Sequence, residues 1–196
     1  MNIKSIARFI ALSTLTTQAM AFNPVQGLYG SIFIGPSYTP NLNTVNPEGQ
    51  IKYNIRANGG LGLGYRYNYW RFEGEGLYNS STSKNLTLNN GTVVSGNYQD
   101  AQHIGGSINT LAFMANAFFD LYGPDSSSAL VPYVGLGLGY ANVANNYKYY
   151  NNNTLTVHDS LRTNTAAGQA MLGFGYMTDD FWAFTLDYRY FSTTKI

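Results

Sequence analysis

Over residues 54–67 (NIRANGGLGLGYRY), side-chain character alternates with position. Ile55, Ala57, Leu61, Leu63, Tyr65 and Tyr67 stand at odd positions; Asn54, Arg56, Asn58 and Arg66 stand at even ones, and glycines occupy the rest. Successive side chains of a strand point to opposite faces, so this segment has one oily, aromatic face and one polar or bare face. A soluble sandwich uses a few such strands. Here the pattern recurs along the chain, which predicts an all-β, antiparallel, up-and-down transmembrane barrel with lipid outside and polar groups inside.

Seven candidate strands follow, at 28–38, 54–67, 70–78, 110–122, 132–143, 165–177 and 181–191. Each suits the roughly 9 to 11 residues that a tilted membrane strand needs. Their connections alternate in length. Short ones fall at 68–69, 123–130 and 178–180; long ones at 39–53, 79–109 and 144–164 are rich in Asn, Ser, Thr and Gly, the composition of solvated loops. Short turns on one rim and long loops on the other fit a bacterial outer-membrane barrel.

Parity assigns the faces. Trp70, Phe72, Tyr78, Leu111, Phe113, Phe119, Leu121, Val134, Leu136, Leu138, Tyr140, Leu172, Phe174, Tyr176, Trp182, Phe184, Leu186, Tyr188 and Tyr190 point outward. Thr110, Asn116, Tyr133 and Gln169 point inward. The first strand is ambiguous, with Ile32 and Ile34 on one face and Phe33 on the other. The predicted lumen sets Arg56, Arg66, Arg71 and Arg189 against Glu73, Glu75, Asp120 and Asp187. Balanced charges in a narrow interior make a mutually satisfied network, a structural role. Glycine repeats such as residues 135–139 (GLGLG) leave room for these long side chains.

Composition excludes several alternatives. Charged residues make up 11% of the 196, about half the usual ~25% of a soluble domain. A net charge of +1 gives no electrostatic case for nucleic acid. With no cysteine, neither disulfides nor thiolate metal sites arise. Seventeen tyrosines and eleven phenylalanines suit a surface at a lipid interface. Residues 1–21 read as a secretory signal: Lys4 and Arg8 form the basic region, residues 9–15 the apolar core, and Ala19-Met20-Ala21 the cleavage site. Residues 22–196 are then the barrel domain, starting at Phe22. No later run approaches the ~20 apolar residues of a membrane helix.

The search for chemistry finds little. Glu73 and Glu75 share a face with Arg71, a charge network rather than an acid–base pair. His103 and His158 fall in the long loops near Asp100 and Asp159 and read as solvated. The glycine runs lack the Lys-Ser/Thr of a phosphate loop. The chain is therefore expected not to be an enzyme and to have no catalytic, cofactor-binding or metal-binding residues. Residues 145–153 (NNYKYYNNN) mix Tyr with Asn, which suits either adaptable recognition or a plain polar loop. A small porin or channel is the alternative function. A barrel enzyme acting on lipid or peptide and a soluble periplasmic ligand-binding barrel are further alternatives.

The segments RFEGEGLY (71–78), AFMANAFFDL (112–121), PYVGLGLGYA (132–141), QAMLGFGY (169–176) and LDYRYF (186–191) resemble the OmpA-type small outer-membrane barrels, and among them the opacity-like and rickettsial or anaplasmal surface-antigen branch. The resemblance implies an eight-stranded barrel with surface-exposed loops, serving structure, adhesion or antigenicity in the outer membrane without a cofactor. It implies outer-membrane lipids and the barrel-assembly machinery as partners, with a host or surface ligand engaged through the long loops. This chain departs from the pattern at its end. Seven strands are counted, and single-chain bacterial barrels have even numbers, so the domain is expected to be C-terminally incomplete, lacking the eighth strand.

Overall fold

A computed structural model describes residues 8–12, 16–19, 26–45, 48–97, 99–121, 129–152, 154–178 and 182–194. Every regular element among them is a strand: β1 Arg8–Leu12, β2 Thr16–Ala19, β3 Gly27–Tyr38, β4 Leu42–Val45, β5 Glu48–Tyr53, β6 Arg56–Tyr67, β7 Trp70–Leu88, β8 Val93–Ser95, β9 Gln102–Asp120, β10 Leu130–Asn151, β11 Thr154–Met177 and β12 Trp182–Thr193. The fold is all-β, and its pairings are antiparallel except for one residue pair between β8 and β9. Twelve strands among the described residues replace the eight-stranded plan with seven present.

The seven long strands correspond to the seven expected ones and pair in the order β3, β6, β7, β9, β10, β11, β12. The β6–β7 hairpin turns at Asn68-Tyr69, where Asn68 adopts φ 54°. Asparagine tolerates this left-handed conformation because its short side chain can bond locally. Tyr122, Phe181 and most of the 123–130 and 178–180 connections lie outside the described residues.

No pairing joins β3 directly to β12 among the described residues. Between them lies β1, which pairs with β12 over five residues (Arg8↔Ser192 to Leu12↔Tyr188) and with β3 over two (Ile10↔Tyr38, Ala11↔Ser37). β2 adds four pairs along β12. Segments read from the sequence as a leader thus occupy the seam of the wall.

The long connections are corrected most. They are sheet rather than loop. β4 and β5 form a hairpin on the far end of β7. β7 runs to Leu88, β9 starts at Gln102, and β10 and β11 pair almost to their tip at residues 151 and 154. Alternation persists there through Leu86, Ile104, Ile108, Val143 and Tyr147, which face an interior. The outward positions carry Asn, Ser and Thr, so these segments resemble loop composition although the backbone is paired. Pairing satisfies main-chain groups that a buried loop would leave orphaned.

The wall sorts its side chains sharply. Leu63 is 75% exposed and Leu138 76%, and the outward aromatics include Trp70, Phe72, Tyr78, Phe113, Tyr140, Phe174, Tyr176 and Trp182. Ile32 and Ile34 join this exterior while Phe33 is buried, which settles the ambiguous first strand. Glycines divide in the same way. A Cβ on inward-facing Gly62, Gly64 or Gly137 would collide with Ser31 and Glu73, with the Tyr29 ring, or with Asn116 and Gln169. At outward-facing Gly74 and Gly76 it would meet nothing closer than 3.9 Å.

Candidate functional site

The interior has two storeys. Toward the short-turn end, parity brings inward polar side chains from six strands to one level, while Met114, Phe118, Tyr133 and Met171 pack among them. Asp120 of β9 receives Arg66 of β6 and Arg71 of β7, the latter at 3.0 Å. The Arg71 guanidinium lies over Phe118 and Tyr133, 4.7 and 4.6 Å from the ring centroids. Tyr133 Oη donates to Asp187 at 3.0 Å. Arg189 lies 3.9 Å from Asp187, binds both oxygens of Glu75 at 2.7 and 2.8 Å, and covers the Phe33 ring at 4.2 Å. Glu75 also accepts from Asn116 at 3.3 Å and Gln169 at 3.2 Å, and Glu73 accepts from Ser31 at 2.9 Å.

Seven of the eight expected lumen residues therefore meet: Arg66, Arg71, Arg189, Glu73, Glu75, Asp120 and Asp187 are all buried. Arg56 does not. It sits exposed at the first position of β6 and donates to Thr82 Oγ1 at 3.3 Å. Its parity matches that of Arg66, but the enclosed interior on this strand begins at Asn58. The balance becomes three arginines against four carboxylates. Sequence reasoning missed Ser31 and Phe33, whose shared parity was hidden by the isoleucines between and beside them. Beside Arg66, Arg71, Asp120 and Tyr133 remains a cavity of about 10 Å³, at the lower limit for one water. Among the described residues, side chains fill the space around these groups.

The storey toward the long hairpins holds the main apolar cluster, with buried Thr39, Ser81, His103 and Thr110 beside it. Ile51 and Tyr53 of β5, Leu86 of β7, Val94 of β8, Ile104 and Ile108 of β9, and Val143 and Tyr147 of β10 form one cluster continuous with Phe33, Leu77 and Phe191. Burial pushes the Tyr53 and Tyr147 hydroxyls well above the ordinary phenol range, and each is raised further by a neighbouring tyrosine. Neither histidine lies in a loop, contrary to the sequence expectation. His103 is on β9, only 5% exposed; it stacks on Tyr150 at 4.4 Å, with Nδ1 2.9 Å from the Asp100 carbonyl. His158 is on β11, exposed and paired across the strand with Lys148.

An apolar, aromatic exterior around a charge-paired, packed interior, built on antiparallel strands, defines a membrane-spanning β-barrel. The chain belongs to the outer membrane protein beta-barrel domain family, whose model matches residues 7–196. No curated protein and no solved structure matches it.

Proposed function

We propose that this chain is a non-enzymatic surface protein of the bacterial outer membrane, of the opacity-like type, in which the wall is the anchor and the hairpin extension is displayed outside as antigen or adhesin. The observation that carries this reading is the change of exterior along single strands. On β10, Val134, Leu136, Leu138 and Tyr140 give way to Asn142, Ala144 and Asn146 at the same outward parity. A strand that leaves hydrocarbon for water changes its outward face in this way. The side chains packed through the described lower storey and the apolar cluster above it disfavour the small-porin reading. The Glu73 and Glu75 carboxylates are engaged by Ser31 and Arg189, which fits a structural network. Residues 1–21 act in this reading as an export signal that is removed.

A chain without cysteine allows a direct test. Thr154→Cys lies at the β10–β11 tip and Tyr69→Cys in the β6–β7 turn. On intact cells, a membrane-impermeant maleimide should label the first; the second should react only after the outer membrane is broken. The reverse pattern, or equal labelling, overturns the proposal.

A further inference from the structure

The outward wall is not evenly filled. Gly59 of β6 stands between Ile34 and Tyr78, and Gly76 of β7 between Leu61 and Phe113, all on the outward parity. These glycines floor a groove of about 590 Å³ walled by Ile32, Ile34, Leu61, Tyr78 and Leu111. The floor is open: a Cβ on Gly76 would come no closer than 3.9 Å to the Leu61 carbonyl or the Phe113 ring. Empty apolar space forfeits dispersion contacts, so a hydrocarbon chain is favoured to lie in it.

The same strands carry cations where the apolar exterior ends. Tyr78 Oη and Ser80 Oγ mark that border, donating to Asn109 Oδ1 at 3.4 and 2.7 Å. Just beyond it, Arg56 Nε donates to Thr82 Oγ1 at 3.3 Å. Lys84 follows two residues along β7, at an irregularity where Lys52 pairs with Asn85 and Tyr53 with Ser83. Lys52, Arg56 and Lys84 are all exposed, and none has an ion pair among the described residues. The carboxylates of β7 and β9, which are Glu73, Glu75 and Asp120, turn inward and are buried. Glu48 stands at the start of β5, four residues from Lys52. From Gly76 to Thr82 the strand covers about 20 Å.

The fitting occupant is apolar along the wall and anionic at its border. A lipid with an anionic phosphate headgroup has that form. Guanidinium and ammonium groups hold phosphate through charge-assisted hydrogen bonds, and basic clusters at a membrane surface attract anionic lipids. A second copy docked groove to groove would set the same cations against one another, and facing like charges are destabilising. We propose that this groove, with Lys52, Arg56 and Lys84 above it, binds one such lipid, an acyl chain along Gly59 and Gly76 and the phosphate on the cations. This deepens the surface-display reading and rests on it, because that reading sets the wall in lipid and the cations at the outer leaflet.

The probe is dipalmitoyl phosphatidic acid, titrated into the full chain folded in zwitterionic micelles, with bound lipid counted by native mass spectrometry. Dipalmitoyl phosphatidylcholine has the same chains with no net charge, and glycerol phosphate has the anion without the chains. One phosphatidic acid is expected per chain, held roughly tenfold or more tighter than phosphatidylcholine. The triple variant Lys52→Gln, Arg56→Gln, Lys84→Gln should lose that preference, and Gly76→Leu, which fills the groove, should weaken binding of both lipids. Lys148→Gln and Gly168→Leu make the same changes elsewhere on the exterior and should bind as the parent does. Equal heat-modifiable gel mobility shows that each variant is folded; if the triple variant is not, Lys84→Glu alone should reduce the preference. The proposal is overturned if the two lipids bind equally, or if the cation variants or Gly76→Leu bind like the parent. Displacement of the lipid by an equal concentration of glycerol phosphate also overturns it, because the site then takes the anion alone. So does self-association of the parent that Gly76→Leu abolishes, the occupant then being a second copy. Micelles impose no orientation, so failure here leaves the cell-labelling result standing.

Discussion

Arg189 joins three strands through one guanidinium: it pairs with Glu75 of β7, lies near Asp187 on its own β12, and covers Phe33 of β3. Removing one partner of a buried pair leaves the other charged and uncompensated, at a cost of about 3–5 kcal/mol, whereas replacing both is often neutral. Arg189→Met should therefore lower stability by that order in urea titrations of the micelle-folded chain. Adding Glu75→Gln should restore most of the loss, because Asn116 and Gln169 still donate to an uncharged side chain there. If the single variant is no weaker than the double, the pair is not what holds the wall. Parity made Arg189 and Glu75 legible as inward residues. It could not place the pairings, which depend on register between strands distant in sequence. It also misassigned Arg56, because alternation tells which face a residue takes and not where along a strand enclosure begins. His103 shows the complementary error: a lone histidine amid Asn, Ser and Gly has no local signal for its stacking on Tyr150.

At the level of elements, the wall segments were legible because lipid forces every outward position to be apolar. The extension was not, because water relaxes that demand and leaves alternation only on the inward side, spread thinly through Leu86, Ile104, Ile108, Val143 and Tyr147. This division predicts unequal stabilities. The extension lacks the lipid surround that penalises exposed main-chain groups of the wall, so it opens locally before the whole molecule does. Leu86 is fully buried beneath the β4–β5 hairpin and β8, facing Ile51 and Val94 across the strands. Truncating such a side chain costs about 2–5 kcal/mol. Leu86→Ala should thus speed tryptic cleavage at Lys52, Lys84 or Lys148, while the fragments stay associated and retain the heat-modifiable mobility of a folded wall. Simultaneous loss of both would mean that wall and extension are a single cooperative unit.

The whole molecule turns on the seam between β3 and β12. The outer-membrane barrel class was legible from repetition: one alternating segment is ambiguous, and seven in succession are not. The strand at the seam was missed because residues 9–12 (FIAL) form a short apolar run, which reads equally as the core of a leader or as a strand that bridges two edges. Removal of the segment up to Ala21 strips five pairs of β1 and four of β2 from β12, together with two from β3. Main-chain groups exposed to hydrocarbon cost several kcal/mol each. Closure of the wall and loss of the first 21 residues therefore oppose each other in this chain. Refolding residues 22–196 and residues 1–196 side by side into micelles measures that opposition. The shorter chain should fold in lower yield and unfold at lower urea. A double variant of the longer chain, Phe9→Cys with Phe191→Cys, should form a disulfide on oxidation, because those positions are directly paired. Equal stability without the cross-link would mean that β3 and β12 meet each other once the bridging strand is gone, and that the seven long strands suffice to close the wall.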